Sequence, residues 1–118
     1  MTIEADIFTA LTGLVAGRIF PDFAPLSTTR PYIVYSKVGG EAVSYVDDTV
    51  PDKQNGHYQF NVWADTRAQA SSIALSVEST LVTALTMQAR PNGAPTALSE
   101  PDYKLYGSMQ DFSIWSAR

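Results

Sequence analysis

Residues Gly56–Leu85 read GHYQFNVWADTRAQASSIALSVESTLVTAL, and this stretch decides the fold. Tyr58, Phe60 and Val62 fall on one side, and His57, Gln59, Asn61 and Trp63 on the other. That period of two marks a half-buried strand over His57–Trp63. Asp65 or Thr66 then caps a helix expected to run to about Leu85. Ile73, Val77, Leu81 and Leu85 form its i, i+4 stripe, widened by Ala70, Ala74 and Ala84. Ser71, Ser72, Ser76, Ser79 and Thr80 line much of the rest, so packing rather than propensity must hold this helix. The closing DFSIWS, Asp111–Ser116, answers the same demand as QFNVWA. Phe and Val or Ile enter the core, and Trp sits at the far edge; the likeness is too short to be a repeat.

Outward from this block, Ile3, Ile7, Phe8, Leu11, Leu14 and Val15 recur at helical spacing, predicting a helix from Thr2 to about Val15. Thr2 caps it, Glu4 and Asp6 suit its positive end, and Gly17 is placed to stop it. A short strand Arg18–Phe20 follows. Pro21–Pro31 is proline-rich and reads as a loop. Tyr32–Val38 is a strand by its β-branched and aromatic content. Gly39-Gly40 is either a hairpin turn or a glycine bulge in one long strand. Glu41–Val46 is extended, and Asp47–Asn55 is a polar loop. Met87–Arg90 is a short strand and Pro91–Pro101 a turn-rich loop. Tyr103–Trp115 is a long strand whose apolar phase shifts near Gly107, which predicts a bulge there. The expected fold is α+β. It has a mostly antiparallel mixed sheet of about four strands, two helices packed on one face, and an extended hairpin or arm.

A chain of 118 residues with 45% apolar and 17% charged residues forms one globular domain, 1–118. It has no cysteine, which excludes disulfides, thiolate metal sites and cysteine nucleophiles. A net charge of -4 and a pI near 4.7 argue against a general nucleic-acid or anionic-membrane binder. No basic region precedes an apolar run at the start, so no signal peptide is expected, and no apolar run suits a membrane span.

Catalytic chemistry is sparse. His57 is the one histidine, and it reads as an exposed strand-edge residue rather than a base or ligand. Asp47, Asp48 and Asp52 form the best carboxylate cluster, but the glycine turn and closing Glu of a calcium loop are missing. Gly39-Gly40 lacks a phosphate-loop pattern and its lysine. The eight Lys and Arg residues are scattered. No catalytic residue, cofactor or metal is therefore expected. Trp63 and Trp115 end strands with parity opposite to their apolar neighbours; they either pack on helix ends or make a subunit contact. Glu41, Val43, Tyr45, Val46, Asp47, Asp48 and Val50 read as a docking arm, because apolar and aromatic side chains in a polar loop are odd for a free monomer.

Taken in order, GRIFPDFAP, RPYIVYSKVGGEAVSYVDD, YQFNVWADTRAQA with its helix, and the final YGSMQDFSIW resemble the small phage tail-completion proteins of the SPP1 gp17-like family. The resemblance covers nearly the whole chain, and its motifs are structural rather than catalytic. It implies a non-enzymatic protein of tailed phages, prophages or phage-like particles. Such a protein forms a ring, usually of six subunits, that caps the head-proximal end of the tail tube and stops tail polymerisation. The implied partners are further copies of itself, the major tail-tube protein and the head–tail connector, with DNA passing through the lumen and no membrane. The implied location is the virion tail, reached from the host bacterial cytoplasm during assembly. Three other readings stay open: a head–tail adaptor or head-completion protein, a small enzyme using His57 with Asp47–Asp52, and a monomeric binding module using Tyr and Trp side chains.

Overall fold

The computed structural model describes residues 2–42, 53–84 and 87–117. The expectations for Val43, Tyr45, Val46, Asp47, Asp48, Val50, Asp52 and Leu85 lie outside these residues.

Helix α1, Ile3–Leu11, starts where Thr2 Oγ1 accepts the Ala5 N–H at 3.2 Å. Ile3, Ile7 and Leu11 are its buried stripe. The helix tightens into a 3-10 turn over Thr12–Leu14, and the Gly17 N–H closes the end on the Thr12 carbonyl. Gly17 needs its φ of +80° to do so. Strand β1, Ile19–Pro21, runs parallel to β2, Tyr32–Gly39. β2 pairs antiparallel with β3, Lys53–Ala64, and β3 with β6, Leu105–Ala117. Helix α2, Arg67–Thr83, takes Thr66 rather than Asp65 as its cap, with Thr66 Oγ1 accepting the Gln69 N–H at 3.1 Å.

The sheet has six strands rather than about four. β4, Gln88–Pro91, and β5, Thr96–Glu100, both pair with the edge of β6 that β3 leaves free. β5 lies inside the segment expected to be a loop. Its prolines do not prevent pairing because Pro91 ends β4, Pro95 precedes β5 and Pro101 follows it.

The irregularity falls at Val38 rather than on the glycine pair: Lys37 faces Tyr58 and Gly39 faces His57, leaving Val38 extra, and β2 ends at Gly39 with no two-residue turn there, since the Glu41 N–H still reaches Asn55. A Cβ on Gly40, at φ +151°, would stand 2.4 Å from the Asn55 carbonyl oxygen. β3 starts at Lys53, ahead of the expected His57. His57 therefore sits inside a central strand rather than at an edge. β6 holds an unbroken register with β3 from Ala117 to Tyr106, so the bulge expected at Gly107 is absent. The apolar phase shifts for another reason. Ser108 and Gln110 are polar residues at core-side positions, and Gln110 Nε2 donates to Glu78 Oε1 of α2 (2.9 Å) and to the Gly93 carbonyl (2.7 Å). The irregularity belongs to the partner, whose chain loops out between Pro91, opposite Phe112, and Thr96, opposite Met109.

Both helices cover one face. Phe60 anchors the core, its ring centroid 6.0 Å from Tyr35 and 5.6 Å from Phe112. Such pairs add about 0.5–1.5 kcal/mol each beyond their buried area. Ala70 and Ala74 let α2 lie close to the sheet. β3 and β6, 12 and 13 residues long, reach about 40 Å at roughly 3.3 Å per residue. They account for most of the 54 Å long axis, against 26 and 23 Å across.

Candidate interaction surface

The sheet face turned away from the helices carries the residues of opposite parity. These are Phe20, Tyr32 and Val34, then Asn61 and Trp63, then Leu105, Gly107 and Met109, brought side by side by the strand registers. At the end of this face lies an open groove of about 420 Å3. Tyr32, Val34, Asn61 and Trp63 floor it, the segment Asp22–Ala24 forms one wall, and Glu100, Tyr103 and Leu105 form the other. Val34 is buried here although it points away from the core. The uninterrupted apolar run YIVY is what such two-sided burial looks like in sequence.

Three arginines brace the surroundings of the groove. Arg30 Nη1 reaches Asp65 Oδ1 and its Nη2 reaches the Tyr103 carbonyl, each at 3.1 Å, and Arg18 Nε donates to the Pro31 carbonyl at 2.9 Å. Arg67 Nη1 and Nη2 donate to the carbonyls of Gly107 (2.6 Å) and Leu98 (2.5 Å), with the guanidinium 5.5 Å from the Tyr106 ring centroid. Burial pushes the Tyr32 phenol above its usual pKa, and the Arg30 charge opposes that only in part.

Gly107 explains how Trp63 lies. A Cβ there would meet Trp63 Cε3 and Cζ3 at 2.8 Å, so the indole lies directly over the glycine. Trp63 thus packs across the sheet rather than on a helix end. The Asn61 side-chain oxygen on the groove floor is buried and has no hydrogen-bond partner. Phe23 and Tyr103 leave 78% and 68% of their surface exposed on the two walls.

Trp115 lies at the opposite end, between Asn55 and Gln88 in the register. It shares a second open groove, of about 560 Å3, with Arg90 of β4 and with Val82 and Ala84 at the end of α2. Asn55 organises this end. Its side-chain oxygen accepts the Glu41 N–H at 2.9 Å, while Nδ2 donates to Ser113 Oγ at 2.9 Å and to the Ile114 carbonyl at 3.4 Å. Glu41 and Trp115 therefore share one end of the sheet, and Trp63 stands at the other. Sequence reasoning does not single out Asn61, Tyr32, Val34, Phe23, Tyr103 and Leu105 as site residues, because their proximity depends on strand register. His57 faces outward between Gly39 and Ser113. Among the described residues, no three of His, Cys, Asp and Glu gather as a metal site would require.

No curated protein matches the chain. A solved structure described as the virion of a native gene transfer agent particle contains a chain of 18% identity and TM-score 0.61. The match covers 98% of this chain and 95% of that one, and at this identity it speaks for the fold alone. The family of the tail completion protein gp17 matches residues 8–117. Spanning nearly the whole sequence, that match shows that the chain belongs to the gp17 tail completion family and is a structural protein of a phage tail.

Proposed function

We propose that this protein closes the head-proximal end of a phage tail tube as a ring of six copies, halts tube growth and offers the surface to which the head is joined. The observation that carries this reading is the sheet face on which, among the described residues, no helix packs, with Tyr32, Trp63, Phe23 and Tyr103 around a groove. A large aromatic patch of this kind is a site for protein contact, and heterologous contacts close into a ring when their rotation divides a circle. The role is one of assembly rather than catalysis, and DNA passes through the lumen without being gripped, as the net charge of -4 suits. Glu41 and Trp115 at one end of the sheet, and Trp63 at the other, supply contacts to neighbouring copies or to the tube.

Negative-stain imaging of the purified protein with its particle's tail-tube subunit tests this. Short tubes closed by a ring at one end, and no longer growing, are the expected result. Tubes that grow unchecked and uncapped would move the protein to the head side, as an adaptor.

A further inference from the structure

Of the four arginines among the described residues, three are engaged within the chain: Arg18 with Pro31, Arg30 with Asp65 and Tyr103, and Arg67 with Gly107 and Leu98. Among the described residues, the Arg90 side chain has no hydrogen bond or ion pair, and it stands exposed on the edge strand β4. The groove is its counterpart. Asp22 and Glu100 line it with negative charge, and Tyr32, Trp63 and Tyr103 give it aromatic walls. The unpartnered Asn61 oxygen supplies an acceptor on its floor. The nearby Arg30 charge is matched by Asp65.

From these observations we infer that the groove of one copy receives Arg90 of a second copy. A planar guanidinium stacks on aromatic rings, donates from a rigid fork and keeps its charge when partly desolvated, which a lysine does less well. The contact must join two copies. Arg90 faces Ser113, whereas the nearest floor residue, Asn61, faces Met109, about 13 Å further along β6 at roughly 3.3 Å per residue and on the strand beyond it, which is out of side-chain reach. Donor and acceptor are different sites on one chain, so a one-way contact between them is heterologous and propagates head to tail, as the ring requires. This deepens the ring reading and rests on it.

The full chain is tested by light scattering and negative stain, alone and on tail tubes. Arg90→Glu should leave the melting temperature unchanged, since the side chain is exposed. It should raise the concentration for half-assembly on the order of thirtyfold or more, as loss of a charged partner at an interface does. Adding Asp22→Arg and Glu100→Arg to Arg90→Glu should restore rings. The chain has no cysteine, so Arg90→Cys and Glu100→Cys copies mixed in assembled rings should form a disulfide between copies under oxidised glutathione. Rings that persist at wild-type concentration in Arg90→Glu, or rings that give no 90–100 cross-link, overturn the groove contact and leave the ring standing. A wild type that stays monomeric in solution and on tubes overturns both.

Discussion

Gly107→Ala offers a sharp test of how the groove floor is built. In a strand interior this exchange ordinarily stabilises by about 0.5–1 kcal/mol, because glycine loses more backbone freedom on folding. Here the new Cβ would lie 2.8 Å from two Trp63 ring atoms and 3.1 Å from the Val62 carbonyl oxygen, against the 3.4–4 Å of ordinary contact. The backbone oxygen cannot move freely, so the indole must lift away or the strands must part. Overpacking of this kind costs about 1–3 kcal/mol, which outweighs the entropic gain and leaves a net loss near 1 kcal/mol. At about 2.1 cal/mol/K per residue of unfolding entropy, a 118-residue chain loses roughly 4 °C of melting temperature for that amount. Thermal melts followed by circular dichroism should show this drop in the wild-type background. In a Trp63→Ala background the 2.8 Å ring clash is gone and only the milder approach to the Val62 oxygen remains, so Gly107→Ala should cost less there than in wild type or raise the melting temperature relative to Trp63→Ala alone. A Gly107→Ala protein melting at or above wild type, or an equal shift in both backgrounds, refutes the reasoning.

Three further outcomes are expected. Burial holds the phenols of Tyr35 and Tyr58 above the usual pKa of 10.0, with Glu4 adding to the shift in both. The folded state therefore keeps these protons more tightly than the unfolded one. The stability this contributes is complete below pH 10 and falls as pH rises through the folded values; denaturant midpoints measured between pH 8 and 12 should decline only above about 10, and a flat profile would contradict the burial. Asn55→Leu should cost about 1–3 kcal/mol, because it leaves the Glu41 N–H and Ser113 without their partner at a buried site; urea melts read this directly, and a neutral result would mean the side chain ties nothing. Phe60→Ala, which removes a 1% exposed ring packed between Tyr35 and Phe112, should cost about 3–5 kcal/mol; a loss below 1 kcal/mol would deny that this ring anchors the core.

Sequence and structure agree where local chemistry is decisive. The stripe Ile3, Ile7 and Leu11, the cap Thr2, the capping turn at Asp65-Thr66, and the alternation of Tyr58, Phe60 and Val62 are written in residues a few positions apart, where helical and strand periods act. The grouping of tail-completion motifs was legible for the same reason, since it rests on the order of these elements. What required partners distant in the chain was not legible. β5 exists because β6 has a free edge, which overrides the turn-like composition of Pro91–Pro101. Gly39-Gly40 suits a turn or a bulge equally, and only the pairing of β2 with β3 puts the extra residue at Val38 and ends the strand at Gly39. Gly107 announces that something unusual happens there; a tryptophan on the neighbouring strand, 44 positions earlier in numbering, makes it a close approach rather than a bend.

The candidate surface divides in the same way. The outward parity of Trp63 and Trp115 followed from period-two alternation alone, and the poverty of catalytic groups from composition. The groove did not. Its floor comes from β2 and β3, its walls from the segments after β1 and after β5, and Arg30 ties the Tyr103 wall to the loop before β2. By itself, then, the sequence determined which elements form, which faces they bury and which family they compose, because those follow from short-range periodicity and capping. The tertiary structure alone decided the strand register, the sixth strand, and the meeting of Asp22, Asn61, Trp63 and Tyr103 around one groove, because contacts between residues tens of positions apart depend on how whole elements pair rather than on any local preference.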